Sequence, residues 1–166
     1  MKTFLISDTH FGHANMLNFT NSNGSKLRVF DDVEHMNETM VENWNKTVTQ
    51  NDKVYHLGDV GFKSFSALKS IMDRLNGKKI LIKGNHDNLK LSQYAQMFSD
   101  VRAYHVLDGM VLSHIPIHPD SLNRWKANIH GHLHNNILED NRYFNVSVER
   151  IDYAPIDFER IRSLFN

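Results

Sequence analysis

The chain has 166 residues, 40% hydrophobic and 23% charged, which suits one compact domain over 1–166 with a sizeable core. Its 19 basic and 19 acidic residues cancel to a formal net charge of +0, which does not imply a strongly basic nucleic-acid-binding surface but leaves room for a local basic patch; it has no cysteine, which excludes disulfides, thiolate metal sites and cysteine nucleophiles. The apolar run before Asp8 is too short for a signal peptide and no stretch is long enough to span a bilayer, so the expectation is a cytoplasmic protein with no membrane partner.

In chain order, Thr3 to Ser7 reads as a buried strand and Asp8 to Gly12 as the loop leaving it. Asn18 to Lys26, rich in Asn, Ser, Thr and Gly, predicts an exposed loop. Asp31 and Asp32 open a helix whose apolar face is Val33, Met36, Met40, Trp44 and Val48. Lys53 to Leu57 predicts a second strand. Phe65, Leu68, Ile71, Met72 and Leu75 predict a second helix, stopped by Asn76-Gly77. A third strand over Lys79 to Ile82 and a short helix over Leu89 to Met97 follow. Arg102 to Leu107 and Met110 to Ser113 flank Asp108-Gly109, a hairpin signal. Asn128 to His130 and Tyr143 to Val148 read as further strands, and Phe158, Ile161, Leu164 and Phe165 as a closing helix. The order is βαβαβα followed by antiparallel strands, an α/β chain with a mixed sheet or two packed sheets flanked by helices.

Five motifs stand where those apolar runs end: Asp8-Thr9-His10, Gly58-Asp59, Gly84-Asn85-His86-Asp87, Ser113-His114 and Gly131-His132-Leu133-His134. In open α/β sheets such strand ends are where ligands bind. Asp8 and His10 are two apart, so on an extended segment both side chains would face one metal; His132 and His134 share that spacing. Two ions about 3.5–4 Å apart need a shared carboxylate, for which Asp59 is the natural candidate. Carboxylates mixed with imidazoles suit Mn²⁺, Fe, Zn²⁺ or Co²⁺ better than Ca²⁺. A lone histidine is more often structural than ligating, and the weight here comes from complementary ligand types recurring in five motifs. His114 has a competitor in His118, four residues on. His13 and Arg28 are candidate phosphate contacts, balanced evenly against plain structural roles. His35, His56 and His105 lie inside predicted elements and read as structural.

These motifs resemble the calcineurin-like metallophosphoesterases, whose pattern is Asp-x-His, Gly-Asp, Gly-Asn-His-Asp/Glu, a lone His and Gly-His-x-His. The match runs in order from Asp8 to His134, and the ending with Asn145-Val146, Tyr153, Pro155 and Phe158 is similar to that of small bacterial and phage members. The resemblance implies a sandwich of two packed mixed sheets in α/β/β/α layers. It implies one metal on Asp8, His10, Asp59 and His134, and a second on Asp59, Asn85, His114 and His132. The ions would be Mn²⁺ foremost, with Fe, Zn²⁺, Co²⁺ or Ni²⁺ as alternatives. A hydroxide bridging the ions would attack phosphorus, His86 would act as general acid, and Asp87 would orient an imidazole. The implied partner is a phosphomonoester or phosphodiester. Two rivals stand beside that reading. One is a nuclease using the same site on single-stranded or short nucleic acid, with Lys78, Lys79, Lys83, Arg124 and Lys126 as a local groove and no tight duplex binding. The other is a non-catalytic, metal-stabilised interaction scaffold.

Overall fold

The computed structural model describes residues 1–165. Strands β1 (Thr3–Ile6), β2 (Lys53–His56) and β3 (Lys78–Ile82) are parallel neighbours. Ile6 is level with His56, and His56 with Leu81, so the three strands end together. Side chains alternate across a strand, and here both faces are buried. Phe4, Ile6, Val54 and Leu81 enter one apolar cluster; Leu5, Tyr55, Ile80 and Ile82 enter another. The first cluster is closed by Met36, Met40 and Trp44 of α1 (Val33–Thr47) and by Leu68 and Met72 of α2 (Phe65–Met72). The Asp32 carboxylate caps α1, accepting from the backbone N–H of His35 at 2.7 Å.

The second cluster lies between two sheets. Its far wall is Met110, Leu112, Ala127 and Ile129, from β6 (Met110–Leu112) and β7 (Ala127–His130). With β5 (His105–Leu107) and β8 (Tyr143–Asn145) these strands form a sheet of order β5-β6-β7-β8. Phe158 and Ile161 of α4 (Phe158–Arg162) join the same core. The architecture is the expected α/β sandwich of two mixed sheets flanked by helices. At the hairpin, Asp108 and Gly109 have φ of 50° and 77°, the paired left-handed residues of a type I′ turn.

Several expectations need correction. The strand expected over Arg102 to Leu107 is two: β4 (Asp100–Arg102) extends the first sheet parallel to β3, and the chain then crosses to begin β5 in the second sheet. A hydrophobic alternation carries no mark of which sheet it joins. The later strands are not antiparallel throughout. Within the second sheet only β5–β6 is; β6–β7 and β7–β8 are parallel, because the long connections 113–126 and 131–142 cross over instead of folding tightly back. The helix expected over Leu89 to Met97 shrinks to one turn, α3 (Leu91–Tyr94), and α2 ends at Met72 although Leu75 stays buried. A short strand β9 (Ile156–Asp157), not foreseen, covers the free edge of β1 antiparallel.

Candidate metal centre

All five motifs converge at one end of the sandwich. The ends of β1, β2 and β3 deliver Asp8, Asp59 and Asn85, and the ends of β6 and β7 deliver His114 and His132. The sheets are stitched together there: the N–H of Ser7 donates to the carbonyl of Val146 at 2.9 Å.

The spacing works, but not by strand alternation. Asp8, His10, Asp59, His132 and His134 all hold left-handed backbone, with φ of 59°, 48°, 56°, 67° and 49°. That region is unfavourable for a residue with a Cβ, and such residues gather where the surroundings over-determine them. The expected extended segments are therefore replaced by turns that fold alternate side chains inward. Close approach of the turns depends on missing side chains: a Cβ on Gly58 would lie 2.6 Å from the Cα of Gly84 and 2.7 Å from Nδ1 of His114.

Two groups that could each hold a metal ion result, Asp8 with His10 and His134, and Asp59 with His114 and His132. In both aspartates one carboxylate oxygen is tied down and the other is presented. Asp8 Oδ2 accepts from the Ser147 hydroxyl at 3.0 Å and the His132 N–H at 2.9 Å, while Oδ1 is buried with no hydrogen-bond partner. Asp59 Oδ1 accepts from the His86 N–H at 2.8 Å. Its Oδ2 lies 3.7 Å from His10 Nε2 and 3.4 Å from His114 Nε2, between the two groups. His10 Nε2 is likewise buried without a partner. Orphaned buried atoms are costly, and an acceptor and an imidazole nitrogen left facing each other at 3.7 Å fit a cation between them. The amide oxygen of Asn85 completes the second group, 2.8 Å from His114 Nε2 and 3.0 Å from His132 Nδ1.

The imidazoles are oriented from behind. His114 Nδ1 donates to the carbonyl of Leu57 at 2.7 Å, which turns the lone pair of Nε2 inward. His134 Nδ1 donates to Glu149 Oε1 at 3.0 Å, leaving Nε2 to face Asp8. Burial alone would raise the Asp8 carboxyl, but His10, His134 and His114 outweigh it and hold Asp8 well below the ordinary carboxylate range. Asp59 is lowered too, its burial outweighed chiefly by His114.

The remaining expected residues sit around this centre. His86 is exposed, its ring centroid 6.0 Å from that of His10 and 5.1 Å from that of Phe62. His13 stacks on Phe62 with centroids 4.0 Å apart, and its Nδ1 is 3.4 Å from His10 Nδ1. His118 is largely exposed, capping a turn, so the competition falls to His114 on position.

Three residues take other places than expected. Arg28 is 1% exposed and lies beneath the site. Its guanidinium donates to Glu149 at 2.8 Å, to the Thr9 carbonyl at 3.0 Å and to the Asp8 carbonyl, which leaves no fork for substrate phosphate. Asp87 orients no imidazole. Its carboxylate accepts from the N–H groups of Asp59, Val60 and Gly84 at 2.9, 2.9 and 2.8 Å and so ties two site loops together. Burial nonetheless raises its carboxyl above the usual range. Lys79, expected in a basic groove, donates instead to the carbonyls of Leu75 and Gly77. Glu149 was not foreseen, because nothing near it in the chain is ligand-like; only its buried acidic side chain, paired with Arg28 and His134, reveals it.

No protein-family model matches the chain. "Uncharacterized protein MJ1445" of Methanocaldococcus jannaschii is 37% identical over 172 residues, covering 98% of this chain and 90% of that protein. "Gene 66 protein" of Mycobacterium phage L5 is 37% identical over 89 residues, which is 51% of this chain and 39% of that one. Among solved structures, the Aquifex aeolicus protein of unknown function AQ665 superposes with a TM-score of 0.75 at 27% identity, covering 98% of both chains.

Proposed function

We propose that this chain, which belongs to the same family as the Methanocaldococcus jannaschii protein MJ1445, is a calcineurin-like two-metal phosphoesterase that hydrolyses phosphodiester or phosphomonoester bonds. One observation carries the reading. A single carboxylate oxygen, Asp59 Oδ2, stands within 4 Å of an imidazole nitrogen from each of the two groups able to hold metal. A lone structural metal would not need a shared oxygen, whereas a pair of ions does.

Asp8, His10 and His134 would hold one ion and Asn85, His114 and His132 the other, with Asp59 common to both. Divalent ions bound there lower the pKa of water and neutralise charge growing on phosphoryl oxygens. Mn²⁺ suits the oxygen and imidazole donors, as do Fe, Zn²⁺, Co²⁺ and Ni²⁺. The chain supplies what remains. The buried aspartates stay ionised, so the donors are ready without a proton being lost first. His86, exposed beside His10, is free to protonate the departing oxygen, and its backbone is anchored by the N–H bond to Asp59. His13 lies against the same corner and is a candidate contact for substrate phosphate.

The test compares a generic phosphomonoester, a generic phosphodiester, cyclic nucleotides and single-stranded DNA, each with Mn²⁺ and with chelator. Metal-dependent turnover of an ester is the expected result. Turnover confined to the DNA would make the protein a nuclease, and no metal-dependent turnover on any of them would favour the scaffold. His86→Ala should lower turnover by about 10²–10⁴-fold while both metals still bind. Loss of both metals in that variant would make His86 a ligand and overturn its role.

A further inference from the structure

Beside the metal centre is a hollow of about 610 Å³ whose wall includes both His132 and His134, one imidazole from each group. Its other side chains include Phe19, Asn21, Asn135 and Asn136, and none of the side chains lining it is an acid, a lysine or an arginine. That size is typical of a small-ligand site. A lining of amides with one aromatic ring, and no fixed charge, selects a neutral polar group rather than a second phosphate or an amine.

We propose that this hollow is a nucleobase pocket, and that the esters processed at the centre are nucleotides; the second half of that statement rests on the phosphoesterase reading. Phe19 is 46% exposed and has a face to offer. An unstacked base recovers stacking energy on such a ring. The Asn135 amide nitrogen donates to Asn21 Oδ1 at 3.3 Å, which bridges the loop after β1 and the loop after β7 across the pocket. Among the described residues, the Asn135 side-chain carbonyl and the whole Asn136 side-chain amide have no partner within the chain. A carbonyl beside an amide NH₂ matches the donor and acceptor pairs on base edges, as asparagine does with adenine. Sugar hydroxyls alone would leave the aromatic face unused. A second hollow on the other side of His132, lined by Ile115, Pro116, Ile117 and Leu138 with the acids Glu139 and Asp140, adjoins only one of the two metal-holding groups.

The experiment titrates adenosine, an uncharged probe, into the full chain with chelator present, and follows side-chain amide and aromatic NMR signals. Saturable shifts at Asn135, Asn136 and Phe19 are expected, with affinity reduced about tenfold in both Phe19→Ala and Asn135→Ala. No saturable shift, shifts confined to Ile115, Ile117 and Leu138, or ribose binding as well as adenosine would each overturn the pocket. Because neither metal nor turnover enters this measurement, its failure is separate from a failure of the phosphoesterase reading, which the ester panel decides.

Discussion

Glu149 shows how much of the centre depends on residues that never touch a ligand. Its Oε1 receives His134 Nδ1 and the Arg28 guanidinium, while Arg28 reaches back to the carbonyls of Asp8 and Thr9. One buried ion pair thereby sets both the tautomer of an imidazole and the path of the loop carrying Asp8. Glu149→Gln should weaken metal binding at the Asp8 group about 10–100-fold, the usual cost of losing such a partner. Metal affinity measured by competition with a chelator checks this, and an unchanged affinity would reduce Glu149 to a packing role. The motif residues were legible because each announces a ligand type at a strand end. Arg28 and Asp87 were misread differently, Arg28 as a contact for substrate phosphate and Asp87 as a partner for an imidazole, and only burial shows that both are consumed chiefly by backbone groups. Glu149 was illegible since its partners lie 121 and 15 residues away in the chain.

At the scale of elements, the centre is a set of turns pressed together. Gly58 has φ of 96° and faces Gly84 with no room for a Cβ. Gly58→Ala should both strain the backbone and push the Asp59 loop from the Asn85 loop. The expected loss is about 1–3 kcal/mol of stability, together with weaker metal binding, measured by denaturant unfolding and metal titration. Normal values for both would mean that the two turns separate freely. Beneath these turns His56 is buried, with Nδ1 accepting from the Gly58 N–H at 3.2 Å and Nε2–H donating at 2.9 Å to the Thr9 hydroxyl, which itself donates to the Val60 carbonyl. Burial pushes its pKa down to about 3. A histidine depressed in the folded state stabilises fully above its unfolded pKa of about 6.5 and loses that contribution as pH falls towards 3. Between pH 6 and 4, in chelator, the native chain should therefore lose about 1.4 kcal/mol per pH unit more than His56→Gln. Equal slopes would mean that His56 is protonated in the fold. The periodic patterns of β1, α1, β2, α2 and β3 made those elements legible; the sheet change after Arg102 and the parallel return of β7 and β8 depend on long-range pairing that local pattern does not encode.

Over the whole molecule, two sheets with an apolar layer between them hold five loops at one edge, and no helix among the described residues is long and apolar enough to cross a membrane. The parallel first sheet aligns three strand ends, and the second brings two more against them, so residues far apart in the chain meet at one edge. By the proposed function this edge would hold two ions through one shared aspartate, and catalysis would require both. The most direct test of this is a titration of chelator-treated protein with Mn²⁺ under tight-binding conditions, following ester hydrolysis and bound metal together in the native chain and in Asp59→Asn. Activity of the native chain should rise until two equivalents are bound, and Asp59→Asn should lose the second equivalent along with turnover. Activity complete at one equivalent, or two ions bound with normal affinity by Asp59→Asn, would contradict it.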